Sequence, residues 1–365
     1  MSDKEKEDKH LENIKKNLET YEYQYKKSLG EGGFGDVVQA IKDNRIYAIK
    51  LVIPEKDKKL NKENIKEFRG RNIVKIMQER MKDRNNDRYY LYVMECSFIG
   101  SLKSFNQYLN ENLIFKEAFI EKFGDNLMRF FVMQLVNAFK TFYQGNLVHF
   151  DIKPDNLLIF KNLEVKVIDF SFLTKLNNSD TKKIPGGTFG YTTPEYYKNY
   201  ALNNEILKKQ DYYALGAVIY YLKYGHPLLE GLIKSDFKNI NLNNITESID
   251  RGLHTIDTQK YQDKDFSVFL SNLIQFNPND RLDFESIIRN KWLNKNKQEI
   301  NKILNINLTD EDNIVLELQK SDFLINNTKH YRIKNFDKRY NNEKENKKYK
   351  QIRKGKFKFG RRNIN

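Results

Sequence analysis

The densest group of chemically capable side chains lies in the segment from His149 to Leu158. Within it, Asp151, Lys153 and Asn156 supply a carboxylate, an ammonium group and an amide oxygen. Phosphoryl transfer needs a carboxylate to accept or orient the hydroxyl proton of the acceptor, a cation for the moving charge and oxygen ligands for Mg²⁺. The segment therefore has the side chains for phosphoryl transfer, although the same residues can also form an ordinary turn.

A second carboxylate, Asp169, follows Asn156 after 13 residues and comes directly after the mostly apolar segment 165–168. A carboxylate at the end of a strand is a candidate ligand for the same Mg²⁺. The alternative is a plain strand end, but the four groups in this order favour a metal site that serves phosphoryl transfer.

A glycine-rich segment near the N-terminus is a candidate phosphate-binding loop. Gly30, Gly32 and Gly35 lack the Cβ atoms that would keep backbone amides away from phosphate oxygens. The same spacing occurs in dinucleotide-binding folds and in tight hairpins, but here a strand-like segment follows instead of a helix. Lys50, 15 residues after Gly35 at the end of a predicted strand, is either a solvated surface charge or a ligand for nucleotide phosphates.

The elements that would position these groups form an α+β pattern. Strand-like segments separated by turns occupy residues 25–29, 36–40, 45–52 and 89–94. Further along, apolar residues recur at helical spacing, most clearly from Leu127 to Phe142. A strand-rich first third followed by a helical remainder predicts two lobes, with the domain ending near Leu293.

The net charge is concentrated at the C-terminal end. The 365 residues contain 64 Lys and Arg against 49 Asp and Glu, a net charge of +15. Residues 328–365 contain 15 Lys and Arg and three acidic residues, so this tail carries +12 and the rest of the chain only +3. Such a tail is either solvated or docks on an anionic partner, and Tyr349, Phe357 and Phe359 favour single-stranded nucleic acid.

Composition excludes several protein classes. The single cysteine, Cys96, excludes a disulfide framework and a cysteine-based zinc site. The charged start lacks the apolar segment of a secretory signal, and no apolar run reaches the roughly 18 residues of a membrane span. We therefore expect a soluble cytoplasmic or nuclear protein, with one short amphipathic helix at Leu11, Ile14 and Leu18.

Together these motifs resemble the eukaryotic protein kinase family, from about residue 25 to residue 293. Lys153, which precedes a proline, and Thr188 resemble the serine/threonine branch. The resemblance implies transfer of the ATP γ-phosphate to Ser or Thr hydroxyls of protein substrates, with ATP and Mg²⁺ as cofactors. The alternative within the family is a pseudokinase, which uses the same fold as a scaffold without catalysis.

The resemblance also implies an α+β, two-lobed protein kinase fold with a strand-rich N-lobe and a larger helical C-lobe. The implied organisation is a charged extension over residues 1–24, an N-lobe over 25–95, a C-lobe over 96–293 and a basic, largely disordered tail over 294–365. The tail lies outside the resemblance, and a further alternative is a protein that acts chiefly by binding an anionic partner through this tail, with the kinase domain secondary.

Roles for single residues follow from the same resemblance. The implied catalytic residues are Asp151, Lys153 and Lys50, and the implied Mg²⁺ ligands are Asn156 and Asp169. The residues implied to bind ATP are Leu29, Gly30, Glu31, Gly32, Gly33, Phe34, Gly35, Val37, Ala48, Lys50, Glu95, Cys96 and Leu158.

Three segments of the second half extend the resemblance, namely 187–195, 211–216 and 277–281. In the family, a glutamate at the position of Glu195 forms a buried pair with an arginine at the position of Arg281. Breaking a buried pair is strongly destabilising, so both residues are expected to matter for folding.

The chain departs from the family pattern at the activation segment. Phe150 stands where many members carry an arginine that binds a phosphorylated activation-loop residue. Ile184, three residues before Gly187, cannot be phosphorylated. We therefore predict that activity does not depend on phosphorylation of the activation loop.

Two further departures concern small residues. Ser171 replaces the glycine expected two residues after Asp169, which predicts a less mobile turn with the metal site retained. Thr193 replaces the alanine expected before Pro194, and this exchange is predicted to be tolerated.

No glutamate stands at the sequence position where the resemblance implies the partner of Lys50. Asn61 falls at the expected position, and Glu63 or Glu67 would serve as the partner only after a local shift. This departure keeps the pseudokinase alternative open.

Overall fold

The computed structural model describes residues 3–32, 35–52, 70–82, 89–97, 99–111, 126–160, 163–177, 181–198, 201–229, 242–258 and 263–295. Several residues singled out by the sequence lie outside this described part, namely Gly33, Phe34, Asn61, Glu63, Glu67 and the tail beyond Lys295.

A five-stranded antiparallel sheet with strand order β1-β2-β3-β5-β4 forms the N-terminal lobe. Its strands are β1 (Gln24–Gly32), β2 (Gly35–Lys42), β3 (Arg45–Val52), β4 (Ile76–Lys82) and β5 (Tyr89–Glu95). Side chains alternate between the two faces of a strand, so the register assigns each residue to a face. Val37 lies opposite Lys50, and Ala48 lies opposite Gln39 and Met94, which places these five residues on one face, the inner face.

The opposite, outer face of the sheet is covered by the predicted N-terminal helix, which forms as α1 (Asp3–Glu19). Ile14 and Leu18 of α1 are buried against this face, and Leu18 is fully buried. The sheet residues that they pack with are Val38, Ala40, Ile49, Leu51, Leu91 and Val93. Burying each apolar side chain of α1 contributes roughly 1.5–3 kcal/mol, so this part of the predicted extension 1–24 stabilises the lobe.

Helices dominate the C-terminal lobe. They are α2 (Leu102–Glu111), α3 (Asn126–Gln144), α4 (Pro194–Lys198), α5 (Asn204–Tyr224), α6 (Leu242–Thr258), α7 (Lys264–Leu273), α8 (Phe284–Ile288) and α9 (Lys291–Asn294). The central helix, α5, is buried from Gln210 to Tyr221, as the mostly apolar run from Tyr212 to Leu222 requires. Asn203 caps its start by accepting a hydrogen bond from the Ile206 amide, and Gly225, with φ of +79°, ends it.

Short strands between the helices hold the polar segments in place. The strands are β6 (Gly100–Ser101), β7 (Leu147–Val148), β8 (Leu157–Ile159), β9 (Val165–Val167) and β10 (Thr174–Lys175). β6, β8 and β9 form one antiparallel sheet, and β7 pairs with β10. The segment 149–156 therefore runs between two anchored strands, and Asp169 lies just after β9. This arrangement confirms the predicted α+β, two-lobed fold.

The two lobes are joined through β9. Asn72 accepts a hydrogen bond from the Val167 amide through its carbonyl, and its side chain donates to Gln134 and to the Val165 carbonyl at 2.9 Å each. Within the described part of the chain, no helix is long and apolar enough to cross a membrane.

Candidate active site

The Asp151 carboxylate is the centre of a hydrogen-bonded group in the segment between β7 and β8. Its Oδ2 lies 2.9 Å from Nζ of Lys153 and accepts a hydrogen bond of 2.9 Å from the Asn156 amide. Its Oδ1 accepts a hydrogen bond of 2.6 Å from the Thr188 hydroxyl, which in turn accepts one of 2.6 Å from Lys153. The structure thus brings together the predicted base, cation and amide, with Thr188 as a bridge between the first two.

Asp211 of α5 holds the backbone of this segment. Its carboxylate accepts hydrogen bonds from the amides of His149 at 2.7 Å and Phe150 at 2.9 Å. Burial raises the pKa of Asp211 to about 7, against the opposing effect of these two N–H donors. Phe150 has a φ of +65°, a conformation that a bulky residue adopts only when its surroundings hold it there. The Asp151 loop is therefore fixed by a buried contact that was not part of the predicted site.

His149 connects the loop to the strand that precedes Asp169. Its ring lies 3.2 Å from the Ile168 carbonyl and packs edge-on against Phe170. Burial lowers the pKa of His149, so the imidazole is neutral near pH 7. The Ile168 amide also donates to the Asn156 carbonyl at 2.9 Å, which fixes the two predicted metal ligands relative to each other.

Lys50 reaches from the inner face of the sheet to Asp169 in the other lobe. Its Nζ lies 2.7 Å from Asp169 Oδ1 and 3.4 Å from the Ser171 hydroxyl, and that hydroxyl also donates to Asp169 Oδ1. Burial alone would raise the pKa of Asp169, but the charge and hydrogen bonds of Lys50 and Ser171 hold it at about 2. The carboxylate is therefore ionised at neutral pH, as a metal ligand must be. The predicted glutamate partners of Lys50 lie outside the described residues.

The residues predicted to bind ATP fall on both lobes. Val37 and Ala48 share the inner face with Lys50, whereas the half-buried Leu158 lies on β8 of the other lobe. Leu29 and Gly30 lie at an irregular step in the β1–β2 pairing, and Glu31 and Gly32 continue that hairpin. Gly35 is required where it stands, because its φ is +142° and a Cβ atom would overlap the Leu51 carbonyl oxygen.

Glu95 and Cys96 lie where the chain leaves the sheet for the second lobe. The Glu95 carboxylate forms an ion pair of 2.8 Å with Lys166 and accepts a hydrogen bond of 2.8 Å from the Lys75 amide. The Cys96 thiol is buried, which raises its pKa, and it accepts a hydrogen bond from Gln39. Both side chains are engaged with protein, so the predicted contact with a nucleotide concerns their backbone groups.

The oxygen atoms available for a metal fit Mg²⁺ bound together with phosphates. The described residues contain no cluster of three or more His, Cys, Asp or Glu side chains that could hold a metal alone. Mg²⁺ is commonly held by one or two protein ligands, with phosphates and waters completing its shell. In the side-chain hydrogen bonds among the described residues, Asn156 donates through its amide nitrogen and Asp169 accepts through Oδ1. Asn156 Oδ1 and Asp169 Oδ2 are therefore left for the ion.

An apolar cluster, here called the Phe150 cluster, holds the activation segment. Its buried members are Val148, Phe150, Leu176, Leu202 and Leu207, with Phe172, Ile184 and Ile206 packed at its edge. Two backbone hydrogen bonds between Lys182 and Leu202 tie the segment to the residues just before α5. The position where many family members carry an arginine is thus filled by Phe150, which packs in this apolar cluster.

The implied buried pair of the second lobe is present. Arg281 donates two hydrogen bonds of 2.9 Å to the Glu195 carboxylate, and neither side chain is exposed to solvent. The hydroxyl of Thr193, the residue predicted to be tolerated, is buried and donates to Gln210, which in turn donates to Glu195. The substitution at Thr193 therefore extends the polar network around the pair.

Comparison with known proteins places these features in a family context. Residues 23–293 match the model of the protein kinase domain. An Aurora kinase of Eremothecium gossypii is 27% identical over 285 residues, which cover 77% of this chain and 71% of that protein. Calcium-dependent protein kinase 5 of Plasmodium falciparum is 25% identical over 78% of this chain and 48% of its own length. The serine/threonine-protein kinase PLK4 of Drosophila virilis is 27% identical over 75% of this chain and 33% of its own length.

Proposed function

Because the chain belongs to the protein kinase family, we propose that it transfers the γ-phosphate of ATP to Ser or Thr hydroxyls of protein substrates in a Mg²⁺-dependent reaction. The observation that carries the proposal is the group of Asp151, Lys153 and Thr188, which joins a carboxylate to a cation through a hydroxyl. The names of the similar proteins support the serine/threonine class.

The proposed division of labour follows from the contacts. Asp151 accepts or orients the proton of the acceptor hydroxyl, and Lys153 provides positive charge beside it. Lys50, which lies beside Asp169, would hold nucleotide phosphates, and Asn156 Oδ1 with Asp169 Oδ2 would hold the metal. When bound, Mg²⁺ and ATP supply the transferable phosphoryl group and neutralise its charge.

The test is transfer of labelled γ-phosphate to generic protein acceptors, with chelation of Mg²⁺ as the control. Label recovered on Ser or Thr only in the presence of Mg²⁺ would support the proposal. A folded protein that transfers no phosphate would favour the pseudokinase alternative.

We further propose that activity does not require phosphorylation of the activation loop. The Phe150 cluster supports this proposal, because Phe150 packs with apolar side chains, Ile184 and Leu202 among them, where many family members carry the arginine that binds a phosphate. Burial of apolar side chains stabilises the segment without any modification.

The double variant Ser179→Ala and Thr181→Ala is therefore expected to retain activity within about twofold of the wild type, measured as initial rates on phosphatase-treated protein. Ile184→Asp should lower the rate at least about tenfold, because it places a carboxylate against the apolar side chains of the cluster. Lys183→Asp is the matched control, since it adds the same carboxylate at an exposed neighbour. Loss of activity in the double variant would refute the proposal.

A second proposal concerns the basic tail, for which the charge of +12 over residues 328–365 is the supporting observation. We propose that it binds an anionic partner, with single-stranded nucleic acid favoured, in a cytoplasmic or nuclear protein. Binding of a labelled single-stranded oligonucleotide to the full chain should weaken by about two orders of magnitude between 50 and 200 mM salt. A flat salt response, or equal binding by a chain ending at residue 327, would contradict it.

A further inference from the structure

Ser171 occupies a position between the predicted metal ligand and the lysine of the opposite lobe. The residue is 4% exposed, and its hydroxyl donates to Asp169 Oδ1 and lies within 3.4 Å of Lys50 Nζ. We propose that Ser171 is a positioning residue, which orients the Asp169 carboxylate for Mg²⁺ through this hydroxyl. The inference rests on the proposed kinase function and goes beyond it, because the family pattern has glycine here.

The distribution of donors over the two carboxylate oxygens supports this role. Oδ1 of Asp169 receives both the Ser171 hydroxyl and the Lys50 ammonium group, whereas Oδ2 receives no hydrogen bond from the described residues. Rotation of a carboxylate about its last torsion is otherwise only weakly restricted. Two donors that converge on one oxygen therefore fix this rotation and keep the other oxygen for a metal ion.

The backbone at this point also depends on local support. Asp169 has a φ of +62°, in the left-handed region that non-glycine residues rarely adopt. The following turn is closed by a hydrogen bond of 3.1 Å from the Leu173 amide to the Phe170 carbonyl. Ser171 lies inside this turn and is not among the positive-φ residues, so its Cβ atom is compatible with the backbone. Any effect of the hydroxyl can thus be separated from an effect of the Cβ atom.

Ser171→Ala and Ser171→Gly make this separation in the full-length protein. Ala removes the hydroxyl and keeps the Cβ atom, whereas Gly removes both. The first readout is binding of Mn²⁺ in the presence of ADP, measured by electron paramagnetic resonance of the free ion. The second is the Mg²⁺ concentration that half-saturates phosphoryl transfer. Ser248→Ala is the matched control, since Ser248 is a buried serine on α6, which contributes no site residue, and its hydroxyl accepts a hydrogen bond from Arg251.

We expect both Ser171 variants to bind Mn²⁺ about three- to tenfold more weakly, within the range for loss of one ordinary hydrogen bond. The half-saturating Mg²⁺ concentration should rise by the same factor, while the rate at saturating Mg²⁺ stays within about twofold of the wild type. ADP binding without metal should not change. The control should match the wild type in all three measurements.

The inference is overturned if Ser171→Ala binds Mn²⁺ like the wild type, whether or not Ser171→Gly binds it more weakly. A weaker Gly variant alone would assign the effect to turn stiffness. If Ser171→Ala does not fold, Ser171→Cys replaces it, because a thiol keeps the Cβ atom and is only a weak donor. Wild-type Mn²⁺ affinity in Ser171→Cys then overturns the inference, and weakened affinity with unchanged metal-free ADP binding supports it. Weakened Mn²⁺ binding in a protein that transfers no phosphate would support the positioning role and refute the kinase proposal separately.

Discussion

Replacing Asp151 with Asn is expected to lower the rate of phosphoryl transfer by about 10²- to 10⁴-fold, the usual contribution of a general base. The substitution keeps the size of the side chain, and an amide oxygen can still accept the hydrogen bond from Thr188. It removes the negative charge beside Lys153 and the ability to take a proton. The loss should therefore appear in the rate and not in folding or in ATP binding.

Initial rates under saturating ATP and Mg²⁺ measure this effect, and the thermal shift produced by nucleotide reports whether ATP still binds. Asp155→Asn is the matched control, because Asp155 lies in the same loop and forms a partly exposed ion pair of 2.9 Å with Lys103. Exposed pairs contribute little, so the control should stay within about threefold of the wild type. A rate for Asp151→Asn within tenfold of the wild type would exclude Asp151 as the base.

Groups close in sequence are the part of the site that could be predicted. Asp151, Lys153 and Asn156 lie on one short loop, and the turn of 3₁₀ helix at Pro154–Asn156 brings the Asn156 amide back to the Asp151 carboxylate. Five residues of separation leave few backbone paths, so residue types and spacing carry most of the geometry. The strand and helix patterns predict the two lobes for the same reason, because these patterns also depend on residues that are close in sequence.

Contacts between distant residues could not be predicted from local patterns. The Ser171 hydroxyl meets Lys50 from 121 residues away, and this depends on how the two lobes are packed. Considered locally, Ser171 predicts only a less mobile turn. Thr188 and Asp211 also contact the loop from other elements. Such hydrogen bonds carry no periodicity, and only a three-dimensional arrangement brings them together.

The helix α1 shows the same limit for packing. Its apolar stripe predicts an amphipathic helix, but not the surface that the stripe covers. The alternation in β3, where Ala48 and Lys50 face the site and Ile49 and Leu51 face α1, leaves two apolar faces to bury. A second apolar face on a sheet next to an amphipathic segment is a signal that could have predicted the docking.

Removing the carboxylate of Glu195 should destabilise the fold more than any other single change considered for this protein. Glu195→Ala is expected to lower the free energy of unfolding by about 3–5 kcal/mol, because it leaves the Arg281 guanidinium buried without its counter-charge. Arg281 also donates to the carbonyls of Gln275 and Phe276 and lies over the Tyr213 ring, so it is held in the interior after the change. Urea unfolding followed by circular dichroism measures the loss.

The exposed pair of Glu285 and Arg289 is the control, because it shows how much stability is lost when an ion pair is broken without burial. These two side chains are 3.4 Å apart and mostly solvent-exposed, so Glu285→Ala should change the free energy of unfolding by less than about 0.5 kcal/mol. The contrast between the two variants isolates burial as the cause of the lost stability, since both variants remove a glutamate that pairs with an arginine. If Glu195→Ala lost less than about 1 kcal/mol, Arg281 would have to find water or another acceptor on relaxation. In that case, the buried pair would not be what stabilises this part of the helical lobe.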